Sequence, residues 1–263
     1  TVLAGVEVTQ MTDVFALKVE FLPNIDVFKP VETAEVPLFA LPGQDQAVDA
    51  TTLVAAPYLV DRISLSDQVQ VFLGGRHDWV DYEDDVSGQQ RDYAQFSPMV
   101  GAVYAHSDDL SVYANFGRAF APPSTRVIGD VEAEKSEQFE LGIKHIGMDG
   151  RARGTLAVYN LERDITIPDS NQVTEQLGVQ RSRGIEAQLE ARPDDTLTVA
   201  VAYAFNDAEY TDFVRTSYLD PRDPRWTQPG DTADVSYTGA TPAFAPEHIL
   251  NVWAQKRLDN GLG

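Results

Sequence analysis

The chain has 263 residues, of which 43% are hydrophobic, and its 41 Asp and Glu against 20 Lys and Arg give a formal net charge of −21. That apolar content excludes a disordered chain, and the small, dispersed set of cations excludes a nucleic-acid-binding face and a basic membrane-surface patch. The absence of cysteine rules out disulfides and thiolate metal sites, and no apolar run reaches the roughly 20 residues that a membrane-spanning helix needs.

In chain order, the sequence predicts about ten strands, near 1–19, 52–64, 68–81, 93–106, 109–120, 135–147, 151–163, 175–192, 195–206 and 245–258. The dominant period is two. Val69, Val71 and Leu73 alternate with Gln68, Gln70 and Phe72. Phe139, Leu141 and Ile143 oppose Glu140, Gly142 and Lys144. Ile185, Ala187, Leu189 and Ala191 fall on one face; Glu186, Gln188, Glu190 and Arg192 fall on the other. Leu197, Val199, Val201, Tyr203 and Phe205 oppose Thr198, Ala200, Ala202 and Ala204. Helical periodicity is not persuasive anywhere.

Short polar turns near 66–67, 107–108, 148–150, 193–194 and 259–261 alternate with longer connections near 21–51, 82–92, 121–134, 164–174 and 207–243. The longer connections hold most of the net negative charge. Charge is thus moved out of the crossing segments, as a hydrocarbon layer demands. Tight turns on one side and long loops on the other are the pattern of an outer-membrane barrel, with the short turns periplasmic. The fold class expected is all-β, an antiparallel up-and-down transmembrane β-barrel. A soluble sandwich also shows alternating strands, and a propeller would repeat at a fixed spacing that is absent here.

Several segments, in order, resemble those of one family. Ile25-Asp26-Val27-Phe28-Lys29-Pro30-Val31 resembles the "IDIFNPVY" stretch of siderophore receptors. Val71-Phe72-Leu73-Gly74-Gly75-Arg76-His77-Asp78 resembles "LxxGxRyD", and Phe96-Ser97-Pro98-Met99-Val100-Gly101-Ala102-Val103-Tyr104 resembles "FSPRVGLVY". Residues 110–123 are similar to "LYASYSxxFRPP", 134–144 to "EKSxxYELGxK" and 180–189 to "xRSRGxExEL". Pro246-Glu247-His248 stands where the family has "PxH". Together these resemble the barrel wall of a TonB-dependent receptor, ferric-siderophore branch. Lys29 and Glu32 replace the family's Asn and Tyr, which leaves the ligand open.

The resemblance implies a 22-stranded barrel filled by an N-terminal plug. Residues 1–263 would then be a partial barrel domain, about ten strands in an open curved sheet, with plug, TonB box, early strands and last strands absent and both ends read as cuts. It implies a Gram-negative outer-membrane location and no enzymatic activity. It implies no cofactor, a ferric siderophore as transported ligand, outer-membrane lipid as surroundings, and the TonB-ExbB-ExbD complex as a partner acting through the plug. The alternatives are uptake of another nutrient such as cobalamin or a glycan, and a passive porin or adhesin barrel.

Aromatic and arginine side chains at outer strand ends are the candidate ligand contacts: Phe28, Phe39, Trp79, Tyr82, Arg118, Phe120, Tyr218 and Trp226. Aromatics stack on catecholate or apolar chelates, and Arg pairs with anionic ones. Trp79 and Tyr82 also fit an interfacial aromatic girdle, and Phe120 beside Pro122-Pro123 fits packing at a strand exit. The Arg181-Ser182-Arg183-Gly184 run reads as structural, with Arg heads on lumen carboxylates and Gly184 permitting close approach. Asp81, Glu83, Asp84 and Asp85 read as a solvated acidic loop tip and lack the glycine of a calcium loop. His77, His106, His145 and His248 are scattered, so no metal site is expected. The sequence holds neither a G-x-S-x-G elbow nor a phosphate loop.

Overall fold

A computed structural model describes residues 1–18, 20–21, 39–40, 46–122, 132–168, 174–228 and 230–258. Among them every regular element is a strand: β1 (Val2–Leu17), β2 (Glu20–Phe21), β3 (Phe39–Ala40), β4 (Gln46–Ser64), β5 (Val69–Asp84), β6 (Gln89–Ala105), β7 (Leu110–Ala121), β8 (Glu134–Gly147), β9 (Ala152–Pro168), β10 (Thr174–Asp194), β11 (Leu197–Tyr218), β12 (Thr232–Ser236) and β13 (His248–Lys256). Eleven strands form one sheet in the open order β1-β4-β5-β6-β7-β8-β9-β10-β11-β12, with β13 also on β11. β2 and β3 make a separate two-stranded ladder. Strands joined by the tight turns must run antiparallel as neighbours, because a crossover needs about a dozen residues or more.

Two compact units divide the chain. The larger comprises Thr1–Val6, Ala56–Asp78 and Gln95–Gly263. In it the sequence alternation becomes two continuous faces, because residues paired across an antiparallel ladder project to the same side. One cross-strand row runs Ala102, Ala114, Leu141, Val158, Ile185, Phe205, His248. The next runs Tyr104, Val112, Ile143, Leu156, Ala187, Tyr203, Leu250. Large apolar side chains on this face stand open among the described residues: Leu141 is 43% exposed, Leu156 50% and, one row on, Leu189 48%. A patch of this extent opposes solubility in water at ~25 cal/mol per Å² and costs nothing against lipid.

The opposite face is polar. Ser111, Lys144, Thr155, Gln188, Ala202 and Asn251 form one row, and Asn115, Glu140, Tyr159, Gly184 and Asn206 another. The Tyr113 hydroxyl donates to Glu140 at 2.6 Å, and the Tyr159 and Ser182 hydroxyls both donate to Asn206 Oδ1. Tyr113 lies across Gly142, and Tyr159 across Gly184. A Cβ at Gly142 would come too close to Tyr113 Cζ, and one at Gly184 would strike both the Tyr159 ring and the Phe205 carbonyl. The close approach read for Gly184 is therefore observed. Arg181 pairs with Glu209, but the register puts both on the side of Ile185 and Phe205 rather than on the polar face. The expectation of a lumen carboxylate partner is corrected for Arg181.

The smaller unit comprises Glu7–Ala55 and Trp79–Ala94. Val48, Ala50 and Tyr82 are buried there, with Phe15 against them, and the Arg91 guanidinium sits 5.1 Å above the Tyr82 ring centre. The expected long connection at 82–92 is in fact the four-residue turn 85–88. Asp84 is the cause. Only 3% exposed, it accepts hydrogen bonds from the backbone N–H groups of Asp49, Val86 and Ser87 and from the Ser87 hydroxyl. The acidic tip is thus not solvated throughout: one of its carboxylates is a buried turn cap. Further corrections lie at 46–51, which belong to β4, and at 207–218 and 232–236, which extend the sheet rather than loop free of it.

Three outcomes follow for the receptor that carries this wall. Leu189→Arg, on the apolar face, is expected to cost about 2–4 kcal/mol in denaturant unfolding, while Gln188→Arg on the polar face changes stability by under about 0.5 kcal/mol. Gly142→Ala should cost about 1–3 kcal/mol through overpacking, and Gly142→Ala with Tyr113→Ala should recover part of it. Burial pushes the Asp84 carboxyl up, but its hydrogen bonds from Ser87, Asp49 and Val86 together hold it below its ordinary value of 3.8. A lowered folded pKa means that its contribution is complete above that ordinary value and is lost as pH falls through the lower folded one. Unfolding of Asp84→Asn measured against pH should show a flatter acid limb than the wild type; an unchanged limb would refute the cap.

Candidate functional site

Four tight turns gather at one end of the strands, while the other end carries the longer connections together with the short turn 85–88. At one end lie the turns 65–68, 106–109, 148–151 and 195–196. The last is closed by a side chain: the Asp194 carboxylate accepts from the Thr196 N–H and hydroxyl and the Leu197 N–H, and is held down at about 2 mainly by Thr196. At the other end β11 and β12 run on past the apolar rows as a hairpin extension, pairing Val214–Tyr218 with Thr232–Ser236. The tip between them, 219–231, is built by three aspartates. Asp220 accepts the Arg222 N–H and both sides of its guanidinium, and Asp223 does the same for Arg225. Asp231 accepts from the Thr227 N–H and hydroxyl and the Gln228 N–H. The ion pairs with Arg222 and Arg225 lower the carboxyls of Asp220 and Asp223, the latter to about 2. Local hydrogen bonding of this kind shapes a tip without a core beneath it.

At the base of the extension a bulge leaves Thr211 without a cross-strand partner, because Val179 faces Asp212 while Gln180 faces Tyr210. The extra residue brings Tyr210 and Phe213 to the same side. Their rings lie 4.7 Å apart, and Tyr237 stacks on Phe213 at 5.1 Å. Sequence reasoning missed this aromatic group because the spacing of three fits no strand face unless a bulge is assumed.

The predicted contacts do not converge. Phe28 lies outside the described residues, and Phe39 is placed only by its backbone pairing with Phe21 in β3. Tyr82 is 5% exposed within the small core, whereas Trp79 is 51% exposed. Arg118 and Phe120 follow Ala114 and Phe116 at two-residue steps on β7, so they share the apolar face, and Arg118 binds Glu137 at 2.8 Å. Tyr218, 64% exposed, stands on the extension, and Trp226 lies in the tip, its N–H donated to the Asp223 carbonyl. On the polar face a concavity of about 650 Å³ is lined by Phe72, Met99, Tyr113, Asn115, Gln138 and Glu140. No group of three or more His, Asp and Glu placed to hold a metal occurs among the described residues.

Comparison with known proteins agrees with this geometry. The family model for the TonB dependent receptor-like β-barrel matches residues 5–262. The ferrichrome outer membrane transporter/phage receptor of Escherichia coli K12 is 28% identical over 254 residues, covering 91% of this chain and 31% of that protein. The siderophore receptor PiuA of Acinetobacter baumannii superposes with a TM-score of 0.68 at 19% identity, over 87% of this chain and 34% of that one. The ferric-catecholate import receptor Fiu of E. coli K12 gives 0.67 at 18% identity, over 98% and 39%. The chain therefore spans about a third of the length of these relatives. An open wall with an apolar and a polar face, short turns at one end, and a family match along nearly its whole length place this chain in the TonB-dependent receptor β-barrel family, whose members reside in the Gram-negative outer membrane.

Proposed function

We propose that this chain supplies barrel wall and outer loops to a TonB-energised importer of ferric siderophores. The observation that carries the reading is the chain-long family match joined to relatives named for ferric chelates, ferrichrome and ferric catecholate among them. A receptor that takes up a chelate whole needs no catalytic constellation. Cargo would meet the ends of the strands that carry the long connections, where Tyr218, Trp226, Tyr210 and Tyr237 offer aromatic surface, the last two packed on the buried Phe213, and Arg222 offers positive charge. Trp79, half exposed, is better suited to the interfacial girdle, and Tyr82 to packing.

The polar face would meet a plug. Its hydroxyl, amide and carboxylate groups can form hydrogen bonds with a filling domain that moves, which an apolar wall could not do. The TonB complex would act through that plug rather than on this wall. Uptake of cobalamin or a glycan would use the same wall with different loops; no residue described here favours it.

The test uses cells that depend on the receptor for iron. Replacing 220–230 by a Gly-Ser linker of equal length is expected to weaken binding of ferric hydroxamates or catecholates at least about tenfold, while folded receptor remains in the outer membrane. Trypsin added to intact wild-type cells should cut after Arg222 or Arg225. Retention of full chelate binding by the linker variant would remove the tip from the site, and uptake unchanged on loss of TonB would reject energised import.

A further inference from the structure

The polar face holds a second recess, near the tight turns. There the last row to cross β8, β9, β10, β11 and β13 runs Ile146, Arg153, Glu190, Ala200, Trp253, and the row before it runs Lys144, Thr155, Gln188, Ala202, Asn251. Ala200 and Ala202 are short, so the longer side chains of β10 and β13 stand apart above them. The space between is about 500 Å³, lined by Arg153, Thr155, Gln188, Glu190, Asn251 and Trp253. All of these residues belong to the larger unit. Short turns mark the periplasmic end. From Ala200 to Tyr210, where the outer aromatic group begins, β11 runs about 33 Å at the ordinary strand rise.

The charges of the recess do not cancel. Glu190 turns its carboxylate to Arg192 on its own strand, 3.6 Å away. Arg153 lies directly across from Glu190 in the register, yet it has no ion pair among the described residues. Arg153 and Arg192 against Glu190 leave one net positive charge, in a chain whose net charge is −21. The charges at the adjoining turns are already matched, Arg151 with Asp195 and Lys256 with Asp194. Trp253, 53% exposed, presents its indole three strand spacings from Arg153, about 14 Å.

We propose that this recess is a second chelate site, at the periplasmic exit of the path, that receives an anionic ferric chelate after it has left the outer loops. It rests on the reading of the wall as part of a ferric-siderophore importer. Arg153 takes the anionic oxygens of the chelate, and Trp253 stacks on its flat apolar side. Gln188, Thr155 and Asn251 offer hydrogen bonds to its amide groups. The hold is weak, as a station on a path requires: cargo has to enter and also to leave. Exposed ion pairs are of that strength, up to about 1 kcal/mol.

The probe is a ferric tris-catecholate carrying an aryl azide, given to cells that make the full receptor and illuminated during uptake. The label, mapped by mass spectrometry, should reach 186–192 or 249–255 in energised cells and be lost without TonB. Arg153→Gln and Trp253→Ala should each lower that label about fivefold, the equivalent of about 1 kcal/mol. Arg153→Lys should restore it, and Glu190→Gln should raise it. Binding to unenergised cells should stay the same in every variant that shows the heat-modifiable gel migration of a folded barrel. Normal uptake without label in the recess, equal label without TonB, or a loss in Glu190→Gln as large as in Arg153→Gln overturns the proposal. So does an Arg153→Gln receptor that admits a bulky antibiotic, which assigns the recess to plug packing. Import confined to a neutral ferric hydroxamate overturns the exit site and leaves the importer standing, whereas a wild type that imports neither chelate overturns both.

Discussion

Inside hydrocarbon, water offers no hydrogen bonds, so each backbone N–H and C=O of a crossing strand has to be paired by the strand beside it. Everything else in this wall follows from that constraint. Pairing fixes the register, and the register carries the residues at alternate positions to opposite faces. Ile185 and Leu189 then meet lipid, while Gly184, Glu186 and Gln188 meet the interior. A shift of one residue would exchange the two sets, so the pattern specifies the pairing strongly. Where a wide ring lies flat on the inner face, as Tyr113 and Tyr159 do, its cross-strand partner is glycine.

Among the described residues, three departures from regular pairing lie where the hydrocarbon demand lapses. Pro98 ends a ladder beyond the apolar column. The bulge at Thr211 lies beyond Phe205, and Asp84 closes its turn at the outer end of β5 with side-chain hydrogen bonds in place of cross-strand ones. The bulge at Thr211 also stands at the base of the extension where cargo contact is proposed. The membrane segment leaves little freedom to vary a residue, whereas the extension and its capped tip can change without disturbing assembly.

The crossing strands were legible in the sequence because period two survives wherever one side must be apolar. The class, the short turns near 66–67, 107–108, 148–150 and 193–194, and the close approach at Gly184 came through for that reason, while the turn expected at 259–261 lies outside the described residues. The outer ends did not. There the strands stay paired while both faces meet water, so Asp207, Glu209 and Asp212 look like a loop although they lie in β11. The cap role of Asp84 was hidden among Asp81, Glu83 and Asp85, which have the same chemistry and different neighbours. Arg118 and Phe120 were chosen for residue type at an outer end; only the register to Ala121 shows which face they occupy.

These 263 residues contain no cysteine, so a single cysteine placed in this wall meets no other thiol within it. A spin label walked from 184 to 192 in the receptor, embedded in lipid, tests the central claim most directly. Accessibility to oxygen should be high at 185, 187, 189 and 191, and accessibility to a water-soluble nickel chelate should be high at 186, 188 and 190. A water-accessible signal at every position, or a period near 3.6, would contradict a lipid-facing barrel wall.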